Sequence, residues 1–395
     1  MAHISFEESL KILKNNLPSV KNSEKVFLDN ALNRILAKDI TAKYDNPYMP
    51  TASMDGYAIR YEDINGPIKI IGRNPAGTFK FTEINKGEAV KTYTGSFMPQ
   101  NSDTLIPIEN VEVDGENLIV KNKVSKGFSV RPIGEDFKKG ETLIKKGTLI
   151  KAGEIGVLAS LGIPIVEVVK KPVISVLATG EEVVDLDEEY KMGQIRSSNN
   201  YTLTALGKSF GYQMHNLGIA GDNKESIKSE IVSALKNSDI IVTTGGVSVG
   251  DFDFVKEITG EFEVLFHGVN IKPGQWIMIA KAGDKYIVSL PGFPYSSFVT
   301  FLLYVVPIAD ALENKKSLKT YEAVLKEDFV KKFKKTQFVA VNLYNENGEF
   351  YVDTKNKKQG SSGILTNLIN NCALMQLPQG LYTIKKGEKV KIIVY

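Results

Sequence analysis

The sequence predicts a multidomain α/β protein built around a doubly wound, mostly parallel sheet, with a split helical region and β-rich segments around it. Three observations carry this. Continuous β-branched runs alternate with amphipathic helical stretches between residues 172 and 316. Short apolar runs broken by turn residues fill 57–135 and 318–395. The chain has 395 residues, room for two to four domains of about 100–200 residues each.

The elements follow in order. Phe6, Leu10, Leu13 and Leu17 recur at helical spacing, and Leu28, Leu32, Ile35 and Leu36 predict a second helix over Val26–Ile40. A Pro-rich turn, 44–50, comes next. Residues 57–135 read as short strands with turns at Asn65-Gly66-Pro67 and Asp114-Gly115, as in a small barrel or curled sheet. Helical character returns at Gly153–Leu161, which splits the helical domain into 1–47 and 138–171 around a β-rich insert, 48–137. Strands are then predicted at 172–178, 212–219, 239–244 and 286–290, with helices at about 203–210, 222–235 and from Pro294. The last segment, 317–395, is β again.

Composition excludes several classes. Net charge is +3, from 49 basic and 46 acidic residues. That balance argues against nucleic acid as the main partner. Cys372 is the single cysteine and lies in an apolar strand-like run, so a packed thiol is expected. Three histidines, His3, His215 and His267, are scattered. The longest apolar run, Phe298–Val306, is far shorter than the roughly 20 residues of a bilayer span, and no signal core begins the chain. No membrane and a cytoplasmic location are therefore expected.

Ligands of open α/β sheets bind outside the carboxyl ends of the strands. The residues there are Thr179-Gly180-Glu181-Glu182, Ala220-Gly221-Asp222, the run from Gly245-Gly246 through Ser248 and Gly250 to Asp253, and Pro291-Gly292-Phe293-Pro294. Gly245 and Gly246 let backbone approach a ligand and offer N–H donors to an anion. Ser248 adds a hydroxyl. Glu182, Asp222 and Asp253 suit Mg²⁺, which takes carboxylates together with phosphate oxygens. A Walker A loop fails because Gly250 is followed by Asp251-Phe252 where Lys and then Ser or Thr are needed, and a dinucleotide fingerprint fails on spacing. Each feature also has a plainer reading: Asp222 with Glu225 as a helix cap, the glycines as a turn, Pro294 as a first-turn proline.

At these residues the chain resembles a known family. Thr243-Thr-Gly-Gly-Val-Ser-Val-Gly-Asp-Phe-Asp253 resembles the signature loop of molybdopterin-binding domains. Ser53-Met-Asp-Gly-Tyr-Ala58 is similar to the hallmark of the molybdopterin molybdenumtransferase family, which includes MoeA and the gephyrin E domain. Thr94-Gly95, Gly134-Glu-Asp136, Ala178–Glu182, Ile271-Lys-Pro-Gly274, Leu290–Pro294 and Gln359-Gly-Ser361 follow in family order. The resemblance covers nearly the whole chain. It implies a homodimer whose subunits contain the split helical domain, the β insert, an α/β domain over 172–316 and a C-terminal β-barrel over 317–395. It implies molybdate insertion into adenylylated molybdopterin with Mg²⁺-dependent release of AMP. A molybdopterin adenylyltransferase and molybdoenzyme chaperones are implied partners. Family positions fall on Asp55, Thr94, Asp136, Glu182, Asp222, Asp253, Lys272, Pro291, Pro294 and Ser361, with Ser248, Ser296 and Ser361 supplying hydroxyls to an oxyanion. Asp55 and Thr94 are expected to face the α/β domain of the other subunit.

The departures share one direction. Gln275, Phe293 and Ala340 stand where relatives often carry Lys, Asn and Arg, and His267 where some carry Lys. Fixed positive charge is thereby lost around the implied molybdate site. Lys331–Lys335 and Arg131 are the available replacements. Two alternatives follow: a non-catalytic pterin-binding scaffold, or a variant preferring tungstate. A stand-alone adenylyltransferase would account for the α/β domain alone.

Overall fold

The computed structural model describes residues 3–77, 82–221, 223–247 and 254–395. The chain forms two compact units. One comprises Met1–Val26, Asn33–Ala37 and Glu167–Tyr395, the other Phe27–Leu32 and Lys38–Val166.

The four strands expected in the α/β region are present and mutually parallel. Their spatial order is Gln213–Ala220, Val173–Thr179, Ile240–Thr244, Lys285–Leu290. Met278–Ala282 and Glu263–His267 extend the sheet in antiparallel sense. The period of two sorts the side chains into two cores. Ile174, Val176, Ile240, Val242, Val288 and Leu290 face one side, against Leu203, Leu206 and the long C-terminal helix of the domain. Leu177, Ile241 and Ile287 face the other, against Ile227, Ile231, Val255 and Ile258. A strand with both faces covered has no position for a polar face, which is why these runs are apolar throughout.

The long helix runs through Pro294–Thr300, a π-helical turn Phe301–Val305, and Val306–Glu313. Over Pro294–Glu313 it is long and apolar enough to cross a bilayer, with a mean hydropathy of 1.5, yet 89% of that stretch is buried. It is the core helix of its unit. Each large apolar side chain it buries contributes roughly 1.5–3 kcal/mol. The N-terminal helix Phe6–Asn15 seats on the same core: Phe6 meets Phe338 edge-on at 5.3 Å, and Ser9 Oγ lies 2.8 Å from Tyr304 Oη.

The C-terminal segment is a closed five-stranded barrel. Thr336–Glu346, Glu349–Asp353, Lys319–Leu325, Lys389–Val394 and Cys372–Leu377 pair in turn, and the last pairs back onto the first. Asn347 and Gly348, at φ 54° and 85°, form the tight hairpin turn. Burial pushes the Cys372 thiol up, in keeping with a packed side chain.

In the other unit, the region 57–135 contributes an open six-stranded sheet in the order Thr104–Pro107, Gly56–Ile59, Glu88–Thr92, Ile68–Asn74, Asn117–Val120, Val111–Asp114. The helix Ala152–Ser160 is present as expected. The helix expected over Val26–Ile40 is not. Ser23–Phe27 is a strand and Leu28–Asn30 a single 3₁₀ turn. Asn33 takes a left-handed φ of 61°, and the Arg34 guanidinium is drawn to Glu24 and to the Val169 carbonyl. Leu32 remains exposed. Its helical spacing is therefore coincidental, and tertiary partners of Arg34 override it.

A buried polar cluster pins the long helix to the sheet. Asp310 accepts from Tyr212 Oη at 2.6 Å and from the Ser317 amide at 2.6 Å, and Ser317 Oγ donates to it at 2.5 Å. Asp310→Ala leaves these donors unpaired and is expected to lower unfolding free energy by about 1–3 kcal/mol, read from a denaturant melt. A melt superimposable on the parent would contradict the role.

Candidate functional site

The order of strands places Val173–Thr179 between Gln213–Ala220 on one side and Ile240–Thr244 on the other. Chain direction through the sheet reverses there, and such a switch point opens a crevice at the carboxyl ends. A cavity of about 540 Å³ fills it. Thr179 and Glu182 enter from the first strand's loop, Gly245 and Gly246 from the third, and Pro291, Gly292 and Pro294 from the loop ahead of the long helix.

These loops meet backbone to backbone. A Cβ on Gly245 would lie 2.8 Å from the Thr179 carbonyl oxygen, and its φ of 95° suits glycine alone. On Gly292 a Cβ would stand 3.6 Å from the Gly245 Cα. Thr179 Oγ1 donates to the Thr244 carbonyl at 3.3 Å. Asn199 Nδ2 donates to the Gly292 carbonyl at 2.8 Å and Asn199 Oδ1 accepts from Ser297 Oγ at 3.1 Å, which ties the start of helix Ser198–Ser209 to the proline loop. Gly180, at φ 134°, packs under the Glu182 carboxylate and does not itself line the cavity. That carboxylate makes no hydrogen bond or ion pair among the described residues.

A second chamber of about 440 Å³ adjoins the first, with Trp276, Pro291 and Phe293 shared between them. Lys272, Lys334, Lys335 and Ser296 line it, and among the described residues no acid does. Burial, then Lys335, hold the Lys272 ammonium below its usual range. Burial does the same to Lys335. Lys272 Nζ sits over the Phe333 ring, 3.2 Å from its centroid. Ser361 lies in a narrow crevice that also reaches Lys272, and its Oγ accepts from the Gly363 amide at 3.2 Å. Ala340 lines that crevice with a methyl group only.

The other unit brings Asp55 and Thr94 together. Asp55 Oδ1 accepts from the Thr94 amide at 2.8 Å and from Thr94 Oγ1 at 2.7 Å, and these bonds hold its carboxyl below the usual aspartate value. Gly56 is needed beside it: a Cβ there would lie 2.3 Å from the Ile106 carbonyl oxygen. Asp136 accepts from Asn46 Nδ2 at 2.9 Å. Arg131 is engaged by Glu135.

Asp222, Ser248, Gly250 and Asp253 lie outside the described residues. Helix Lys224–Asn237 is capped by Asn223, whose side chain accepts from the Ser226 amide at 2.8 Å. Asn is as good a cap as Asp, and here it stands one residue nearer the helix. Among the described residues no three His, Cys, Asp or Glu side chains group as a metal site.

Sequence reasoning missed the wall formed by Arg196, Ser197, Ser198 and Asn199. Its signal was available: small polar residues immediately ahead of an amphipathic helix mark a helix N-terminus, where backbone N–H groups point at a ligand. The Ser197 hydroxyl is buried and has no hydrogen-bond partner among the described residues. Trp276 gave no signal.

Comparison with known proteins accounts for the arrangement. Residues 4–162 match the MoeA N-terminal region (domain I and II), 175–311 a probable molybdopterin binding domain, and 322–395 the MoeA C-terminal region (domain IV). The molybdopterin molybdenumtransferase of Staphylococcus epidermidis is 32% identical over 99% of this chain and 95% of its own. That of Staphylococcus aureus is 34% identical over 93% and 90%. The molybdopterin biosynthesis MoeA protein of Pyrococcus horikoshii superposes with a TM-score of 0.86 at 30% identity, covering 100% of this chain and 99% of its own.

Two outcomes follow from the geometry. Gly245→Ala forces a side chain into the Thr179 carbonyl and is expected to cost about 1–3 kcal/mol in a thermal melt; unchanged stability would contradict the close approach. Thr94→Val removes one of the two donors to Asp55, so its carboxyl should titrate closer to the ordinary aspartate value, followed by carbon NMR. The sign is that of a depressed carboxylate: stabilisation is complete above the unfolded pKa and is lost as pH falls through the folded one. An Asp55 titration indifferent to Thr94→Val would contradict this pairing.

Proposed function

The chain belongs to the molybdopterin molybdenumtransferase (MoeA) family, and from that premise we propose how its two chambers divide the work. The enzyme acts in molybdenum cofactor biosynthesis, transferring molybdenum to molybdopterin. The pterin occupies the larger cavity at the sheet switch point, and the oxyanion substrate occupies the lysine-lined chamber next to it. The observation that carries this reading is the shared wall, Trp276, Pro291 and Phe293: two ligands on either side of it are within reach of each other.

The pterin substrate is taken as its adenylylated form. Glycine backbones at Gly245, Gly246 and Gly292 admit its phosphates closely, and the start of helix Ser198–Ser209 offers N–H groups to their charge. In the releasing step a water oxygen bonds to phosphorus, the phosphoanhydride P–O bond breaks, AMP leaves, and the water protons pass to solvent. Glu182 has an unengaged carboxylate facing the cavity, and Thr179 and Ser197 add hydroxyl oxygens. This hard oxygen donor set suits Mg²⁺. Glu182 with Asp222 and Asp253 would hold the ion, which supplies charge neutralisation at phosphate oxygens. Lys272 binds the oxyanion, with Ser296 and Ser361 as hydroxyl donors. A homodimer belongs to the same reading, with Asp55, Thr94 and Asp136 of one subunit serving the reaction in its partner. The reaction is assigned to the cytoplasm.

Purified protein given adenylylated molybdopterin, Mg²⁺ and molybdate should release AMP and yield active cofactor. Glu182→Ala should lower the rate at least tenfold, as loss of a metal or transition-state contact does, with cofactor yield as the readout. Substrate binding without AMP release under any oxyanion or divalent metal would favour the scaffold instead. Equal use of tungstate and molybdate would remove a tungstate preference.

A further inference from the structure

The lysine-lined chamber carries positive charge that nothing among the described residues neutralises. Lys272 and Lys335 line the same space, and burial and then Lys335 disfavour the charged form of Lys272. Neither has a carboxylate partner within ion-pair distance among the described residues. Lys335 Nζ donates to Gln275 Oε1, and that contact points it into the chamber. Ser296, 3% exposed, lines the same space, and its hydroxyl has no hydrogen-bond partner among the described residues. The half-buried ammonium groups of Lys272 and Lys335, the exposed one of Lys334 and a free hydroxyl, with no acid among the described residues, form a built anion site: like charges disfavour one another, and an anion between them relieves it.

The other lysines of the segment are not equivalent. Lys331 is 2% exposed, and its ammonium is spent on the Phe333, Lys335 and Gly380 carbonyls, where it locks the turn. Lys332 is exposed and does not line the chamber. Lys334 also lines the chamber but is exposed, whereas Lys335 is half-buried. On the facing segment Lys272 is charged and Gln275 is neutral, and the half-buried charge set against Gln275 is that of Lys335.

We propose that Lys335 is a substrate-binding residue, forming with Lys272 the cationic wall that takes a tetrahedral dianion, and that Gln275 is a positioning residue holding the Lys335 ammonium in place. The proposal rests on the function above for the identity of the dianion, molybdate; the charge arrangement stands without it. A neutral Gln at this position is then compatible with the activity, because the charge has moved to another segment.

The test is calorimetric titration of the full-length protein with molybdate. Lys335→Gln should weaken binding about tenfold to a hundredfold, the range that loss of a charge-assisted hydrogen bond gives. Lys332→Gln removes the same charge outside the chamber and should change nothing. Lys335→Gln with Gln275→Lys returns a cation from the facing segment and should recover most of the affinity. Circular dichroism melts of each variant exclude unfolding as the cause. Undiminished binding in Lys335→Gln, or an equal loss in Lys332→Gln, would overturn the proposal while leaving the enzyme's function untouched. Parent protein that makes active cofactor with molybdate yet shows no saturable molybdate binding would also overturn it. Lys335-dependent binding without any cofactor formation would instead sustain the anion site and sink the functional reading.

Discussion

At Gly245 the Thr179 carbonyl approaches more closely than any side chain permits, and the Gly292 loop packs against the same backbone. The cavity depends on this contact. It brings the ends of Val173–Thr179, Ile240–Thr244 and Lys285–Leu290 to one edge, where the loops that follow them line the cavity. Both packed faces of the sheet hold those strand ends rigidly, so a site on their loops inherits the precision of the core. The long helix from Pro294 completes the frame. Its first turn closes the cavity, and its buried length carries Ser296 into the second chamber.

Much of this was legible in the sequence. The four parallel strands declared themselves through runs such as Val173–Ala178, which only a doubly covered strand can use. The loops after them named Thr179, Glu182, Gly245, Gly246 and Pro291, and the cavity gathers those residues. What escaped had physical reasons. The helix over Val26–Ile40 failed because apolar spacing says nothing of where Arg34 finds its partners. Arg196–Asn199 escaped because they precede a helix and follow no strand of the main sheet. The sequence offered the run Lys331–Lys335 as replacement charge without separating its members; only the fold separates the buried Lys331 from the exposed Lys332 and the chamber-lining Lys334 and Lys335.

Charge placement links the departures from the family pattern to function. Gln275 and Ala340 remove formal charge from the sequence positions where it is usual, yet the chamber still presents lysine on two segments and, among the described residues, no acid. Of the acids implied by the resemblance, Asp55 is favoured in its ionised form by two Thr94 donors, and Glu182 is open to the cavity. The arrangement separates an anion-attracting chamber from a cavity with a carboxylate at its edge, and Phe293 and Trp276 form the partition. On the proposed division of the chambers, an oxyanion and a phosphate-bearing ligand, both negative, would bind at once without sharing one set of cations.

Anomalous diffraction from crystals soaked in tungstate tests the two-chamber account most directly, since the heavy atom reports position without reference to activity. The expected result is a peak between Lys272, Lys335 and Ser296, on the far side of Phe293 from Gly245. A peak inside the Gly245–Gly292 cavity, with the lysine chamber empty, would contradict it.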